Sequence, residues 1–283
     1  MIYISSSCIK SENILEVLEI FHNRGIKNIE LSGGTKFYNG LEEKLIDYVN
    51  KKRINVRLHN YFPPPKEDFV INLASLNKEI HEKSLIHCIK AINLSKKLGA
   101  DRFSVHAGFL LDPGVKEIGI GNNLVKKKLY DFNLGIKKMI DSLQILYQEA
   151  GRNFKIYVEN NVISQANYLK YENNPFLLTT SQDYKMFKSK IKLNLLLDIA
   201  HLKVSSNSLK KNFNFELEYL FNQTDYIHLS GNNSLEDSNK SLLSDNEITN
   251  FLKRNGLKNK TFTLEVYEGI DKIIQDYNFL NNL

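Results

Sequence analysis

Seven short apolar runs in this chain each lead into a side chain that can bind a metal ion or carry a proton. The runs are "NIELS", "NVRLHNY", "RFSVHAG", "KIYVENN", "LNLLLDI", "DYIHLSG" and "TFTLEVY", and the residues are Glu30, His59, His106, Glu159, Asp198, His228 and Glu265. An eighth, His201, stands three positions after Asp198 in "LDIAHL", one helical turn on. Each has an ordinary explanation when taken alone. A single histidine at a strand end is commonly a hydrogen-bonded structural group. A single glutamate can mark the exit of a strand into solvent, and Glu30 could serve the turn at Gly33 and Gly34. The repetition is harder to explain that way. Carboxylates crowded together at buried strand ends lose hydration and repel one another. A divalent cation removes both costs. Carboxylate oxygens and imidazole nitrogens without a thiolate suit Mn²⁺, Mg²⁺, Co²⁺, Fe²⁺ or Zn²⁺.

These residues can meet only if the elements that carry them converge. β-rich runs at 2–6, 28–32, 55–61, 102–108, 155–161, 193–199, 225–231 and 261–267 alternate with longer segments of helical periodicity, among them 11–25, 83–99 and 129–151. Ser11 is the expected cap of the first helix, and Gly25, Gly99 and Gly151 the expected closing residues. Strands alternating with helices pair in parallel through crossovers. The strands read as continuous apolar runs, as in a sheet covered on both faces. Eight such units in 283 residues predict an α/β fold: a single (β/α)₈ TIM barrel over 1–283, its strand ends forming one ring at the C-terminal face. An open doubly wound sheet would favour a glycine-rich turn after the first strand, and "SSSCIKSEN" has no glycine. The three histidines outside the ring, His22, His81 and His87, fall in predicted helices. The stretches 61–75, with three consecutive prolines, and 108–123 are long for loops after strands, and are expected as walls or lids of the site.

Composition narrows the class. With 42% hydrophobic and 25% charged residues the chain is globular rather than disordered. Cys8 and Cys88 are too few for a disulfide framework, so a reduced, cytoplasmic protein is expected. The N-terminal residues lack a basic start followed by a long apolar segment, so no signal peptide is expected. No run approaches the ~18 apolar residues of a membrane span. The net charge of +6 comes from lysines spread among acids, as on solvated helix faces, rather than from a phosphate-binding stripe.

The residues resemble the xylose isomerase-like TIM barrel superfamily, which holds sugar isomerases and epimerases together with the endonuclease IV type of DNA-repair enzyme (AP endonuclease family 2). "LDIAHL" is similar to the family's D-x-x-H signature after strand 6, and "VEN", "IHLSGNN" and "LEV" follow in the family's order. Glu159 to Asp198, Asp198 to His228, and His228 to Glu265 are separated by 39, 30 and 37 residues, each suited to one β/α unit. The resemblance implies that Glu159, Asp198, His228 and Glu265 form a metal cage for Mn²⁺, Co²⁺, Mg²⁺ or Zn²⁺. It further implies that Glu159 and Glu265 act as an acid/base pair, and that His201 and Glu30 contact substrate. His59 and His106 would hold a second metal or bind substrate hydroxyls.

The chemistry expected from that resemblance is a metal-dependent isomerisation or epimerisation of a sugar or sugar phosphate. The metal polarises a carbonyl and stabilises an enediolate while a carboxylate moves the proton. The alternative is an endonuclease IV-like phosphodiesterase acting on abasic DNA. His59 and His106 match two extra ligands of that branch's trinuclear zinc cluster. Its third zinc needs His201 plus an Asp-x-His in the loop after strand 7. Here Asp237 is followed by Asn239, a poor zinc ligand. A non-catalytic barrel kept as a binding protein is a third reading, supported by Asn239 alone. A phosphorylated substrate calls for lysines near the mouth, with Lys66 and Lys203 as candidates. A small sugar partner, with nucleic acid the less expected partner, no membrane, and a possible homodimer complete the expectations.

Overall fold

The computed structural model describes residues 1–118, 123–257 and 259–283. Eight parallel strands close on themselves in sequence order: β1 (Ile2–Ser5), β2 (Asn28–Leu31), β3 (Asn55–His59), β4 (Arg102–His106), β5 (Lys155–Glu159), β6 (Asn194–Asp198), β7 (Tyr226–Leu229) and β8 (Thr261–Leu264). Closure runs through β1 and β8, with Ile4 opposite Leu264. The (β/α)₈ expectation therefore holds, with each strand shorter than the sequence pattern suggested. Helices α1 (Ile14–Asn23), α2 (Leu41–Lys52), α3 (Lys78–Lys97), α4 (Phe132–Ala150), α5 (Gln165–Tyr171), α6 (Ser181–Lys188), α7 (Ile199–Ser208), α8 (Phe213–Phe221), α9 (Asn246–Asn255) and α10 (Ile270–Asn281) surround it. Among the described residues, no helix is long and apolar enough to cross a membrane.

The helix ends show how local chemistry sets the boundaries. α1 starts two residues later than the Ser11 cap predicts. Asn13 caps it by accepting the Leu15 N–H at 3.0 Å, while Ser11 Oγ turns to Glu16 at 2.7 Å. Gly25 and Gly99 follow α1 and α3 at φ of 76° and 74°, the left-handed conformation that glycine adopts without strain.

The main apolar core lies between barrel and helices, not inside the barrel. Ile29, Leu58, Phe103, Val105, Ile156, Leu195, Leu197 and Phe262 belong to it. Alternate residues face the barrel interior, and these are largely polar. Arg57 lies over the Tyr3 ring at 4.2 Å and over Tyr226 at 5.1 Å, while Arg102 lies over Tyr157 at 5.2 Å. The apolar reading of the strands thus needs correcting: in "LNLLLDI", Leu195 and Leu197 feed the outer core, whereas Leu196 packs inside with Tyr157 and Tyr226.

Candidate active site

The eight predicted site residues converge at the C-terminal end of the barrel. β5 delivers Glu159 to the centre. Its Oε2 lies 3.1 Å from His59 Nε2 and 3.5 Å from His106 Nε2, and its Oε1 lies 3.3 Å from His201 Nδ1 and 3.7 Å from His228 Nδ1. His228 Nδ1 also lies 3.6 Å from Glu265 Oε2, so this nitrogen stands between the two glutamates. His228 Nε2 faces Glu30 Oε1 at 2.8 Å. The Glu30 side chain is fully buried and lies behind His228.

Asp198 ends β6 and begins α7. Its Oδ1 accepts the His201 N–H at 2.7 Å, the N-cap geometry of the helix. That single turn fixes the Asp198–His201 spacing seen in the sequence. The backbone of Asp198 is held from the other side by Asn160, whose Nδ2 donates to Asp198 O at 3.0 Å and whose Oδ1 accepts the Asp198 N–H at 2.8 Å. His201 lies between Asn160 O, 2.9 Å from Nδ1, and Asp237 Oδ2, 3.2 Å from Nε2. Asn239 stands beside Asp237, its Oδ1 accepting from Ser230 Oγ at 3.2 Å.

Burial drives the electrostatics. It pushes the Glu159 carboxyl well above its ordinary range, against the pull of His228 and His201. It raises Asp198 to about 6, with His201 opposing. Burial and the neighbouring His228 lower His59 to about 3, and burial with His59 and His201 takes His106 well below its usual value. His201 and His228 move the other way. Burial opposes their charge, but Asp198 and Asp237 around the first, and Glu30, Glu265 and Glu159 around the second, outweigh it. Glu265 is held low because His228 overcomes its burial.

The donor set fits a divalent metal. Both Glu159 oxygens and both His228 nitrogens are buried without a hydrogen bond, and groups so placed usually have a partner. Glu159, Asp198 and His228 can each direct one ligand atom to a common point, as can His59, His106 and Glu159, and Glu30, His59 and His228. Glu265 joins none of these groups and touches the first through His228.

The site opens into a cavity of about 880 Å³ whose walls include His59, His106, His201, Asp237, Asn239 and Glu265. Tyr61, Ile71, Phe109 and Ile118 bring the two long loops to its wall, as the sequence suggested; residues 119–122 of the second loop lie outside the described residues. Lys10 is the one lysine or arginine among the described lining residues. Neither phosphate-binding candidate is on this wall. Lys203 is buried against Asp245 at 2.6 Å, and Lys66 lies over the Phe37 ring at 5.2 Å.

Sequence reasoning missed the asparagine supports. Asn160 and Asn161 both follow Glu159 in "VENN", and Asn161 Nδ2 donates to Ala107 O at 2.8 Å and Gly108 O at 3.1 Å, tying the ends of β4 and β5 together. Two successive amides after a strand-end glutamate were the available signal.

With fold and geometry in place, the chain can be set beside known proteins. A family model for the xylose isomerase-like TIM barrel matches residues 16–283, and the chain belongs to that family. It is similar to the crystal structure of a D-tagatose 3-epimerase-like protein, at 16% identity and a TM-score of 0.73 over 99% of this chain and 96% of that one. It is also similar to the apo form of 3-keto-D-glucoside 4-epimerase from E. coli, at 14% identity and a TM-score of 0.68 over 100% and 99% of the two chains. Endonuclease IV from Thermus thermophilus aligns at 13% identity and a TM-score of 0.63 over 99% and 97%. No curated protein matches the chain. At these identities the structural likeness speaks for the fold alone.

Proposed function

We propose that this chain is a divalent-metal-dependent isomerase or epimerase of a sugar or sugar phosphate. The observation that carries this reading is Glu265 on the wall of a cavity with a single lysine and no arginine among its described lining residues, beside a buried set of groups that could hold a metal. Such a wall suits a small hydroxyl-rich ligand better than a polyanion.

Glu159, Asp198 and His228 would hold the metal, with Glu265 alongside. When bound, a divalent cation supplies Lewis-acid polarisation of a carbonyl group. Glu265 takes a proton from the carbon beside the carbonyl and delivers it to the former carbonyl carbon, while the proton of the neighbouring hydroxyl passes to the former carbonyl oxygen. His201, its ring fixed by Asn160 and Asp237, holds a substrate oxygen. His59 and His106, kept neutral by burial, accept or donate hydrogen bonds to hydroxyls. Glu159 is fully buried and absent from the cavity wall, whereas Glu265 reaches it. With only one of the two glutamates on the wall, removal and delivery of the proton by that same group is favoured, which moves a carbonyl between neighbouring carbons. Inversion of a centre requires Glu159 to reach the substrate as well.

A second reading has its own observation. His59, His106 and Glu159 form a ligand group that shares Glu159 with Glu159, Asp198 and His228. Two ions held by these groups would suit an in-line phosphodiester displacement. The two readings separate in one assay. Mn²⁺- or Co²⁺-loaded protein is incubated with a panel of keto and aldo sugars, free and phosphorylated, and in parallel with duplex DNA carrying an abasic site. The isomerase reading expects a new sugar isomer by NMR and intact DNA; nicked DNA with unchanged sugars supports the second reading.

A further inference from the structure

Glu30 is a carboxylate with no exposed surface, and nothing on the cavity wall explains it. It lies on β2 opposite Ser5 of β1, and its side chain reaches past that small residue to β7 and β8. There Thr263 Oγ1 donates to Oε2 at 3.1 Å, and Oε1 sits 2.8 Å from His228 Nε2. The His228 contact is bent away from hydrogen-bond alignment, and neither atom has a hydrogen-bond partner elsewhere or in this contact. No lysine or arginine pairs with Glu30 among the described residues. Thr263 serves Oε2, but a buried Oε1 so placed is costly unless it too faces a proton donor, and His228 Nε2 is the group that faces it.

The opposite ring nitrogen completes the argument. His228 Nδ1 faces Glu159 at 3.7 Å and Glu265 at 3.6 Å, and His228 shares a ligand group with Glu159 and Asp198. A histidine binds a metal through one nitrogen, and the group bound to the other decides which nitrogen is free. His59 makes no ion pair with Glu30 among the described residues: its Nδ1 lies 3.0 Å from Ser104 Oγ and its Nε2 3.1 Å from Glu159 Oε2.

We infer that Glu30 is the positioning residue of His228: it holds the Nε2 proton, so that Nδ1 presents its lone pair between Glu159 and Glu265. Thr263 orients Glu30 in turn. This rests on the proposed metal site but adds to it, because it assigns Glu30 to the metal ligand rather than to the substrate, and fixes which ring nitrogen binds.

The test uses the whole protein loaded with Zn²⁺ and two readouts that do not depend on activity. Long-range ¹H–¹⁵N NMR of the wild type identifies the protonated nitrogen of His228, assigned by loss of its signals in H228N. Calorimetric Zn²⁺ titration compares wild type, E30Q and T263V. The inference expects Nε2–H in the loaded wild type. It expects a fall in affinity of about 10–100-fold for E30Q, the usual cost of losing an outer carboxylate partner, and a smaller fall for T263V. A proton on Nδ1, or unchanged affinity in a folded E30Q, overturns it. If E30Q does not fold, the wild-type spectrum decides. Wild type that binds no Zn²⁺, Mn²⁺ or Co²⁺ overturns the metal reading itself, and the inference falls with it.

Discussion

The backbone N–H of His201 donates to Asp198 Oδ1 at 2.7 Å, so the carboxylate that ends β6 is also the cap that starts α7. One side chain therefore serves the fold and offers a metal ligand, and the two roles are separable. Asn is as good a cap as Asp but a poor divalent-metal ligand. D198N is expected to melt close to wild type while losing metal affinity by more than the ~10–100-fold typical of an outer partner. D198A is expected to lose the ligand and about 1 kcal/mol of stability with the cap. Urea unfolding of the apo variants beside Co²⁺ titration checks both; equal stability of D198N and D198A would remove the cap from the account.

His87 on α3 supplies a pH dependence away from the metal-ligand cluster. It is buried, its Nε2 donates to Asn60 O at 3.0 Å, and Phe69 packs edge-on at 5.8 Å. Burial takes its pKa down to about 4, against about 6.5 in the unfolded chain. The neutral form is the stable one in the fold, so its contribution is complete above pH ~6.5 and is lost as pH falls towards 4. The gap corresponds to about 3 kcal/mol at most. Between pH 7 and 4 the wild type should lose up to that much more stability than H87Q, measured by urea unfolding at each pH. Parallel pH curves would contradict this.

Lys203 is structural. Its Nζ is buried at 2.6 Å from Asp245 Oδ2, while Asp245 Oδ1 caps α9 through the N–H groups of Glu247 and Ile248. Removing the lysine leaves a buried carboxylate without its cation. K203M is expected to cost about 3 kcal/mol in thermal unfolding, with Zn²⁺ affinity unchanged. A stable K203M that fails on phosphorylated sugars alone would restore Lys203 as a substrate contact.

Much of the fold, and the convergence of its strand-end His, Asp and Glu residues, could be read from the sequence because both rest on local patterns. Apolar runs of four or five residues, each closing on His, Asp or Glu, recur at intervals of one β/α unit, and barrel closure alone brings them together. What stayed hidden depends on side chains reaching across the barrel. Glu30 resembles any glutamate before a glycine turn until closure puts Thr263 and His228 against it. Lys203 follows His201 by two positions and looks like part of the site, but α7 turns it towards Asp245. Asn160 and Asn161 look like loop residues, yet they bridge β5 to β6 and β4. The strands read as uniformly apolar because their outward residues are; Arg57, Arg102 and three tyrosines inside the barrel show the alternation.

The most direct test of the central claim is solvent deuterium exchange into a sugar. Wild type, E265Q and E159Q are loaded with Mn²⁺ or Co²⁺ and incubated in D₂O with candidate keto and aldo sugars, and incorporation at carbon is followed by NMR and mass spectrometry. The account predicts deuterium beside the carbonyl for at least one sugar with wild type. It predicts none with E265Q despite bound metal, and none with E159Q because metal is lost. No exchange into any sugar by metal-loaded wild type, together with cleavage of abasic DNA, would contradict it.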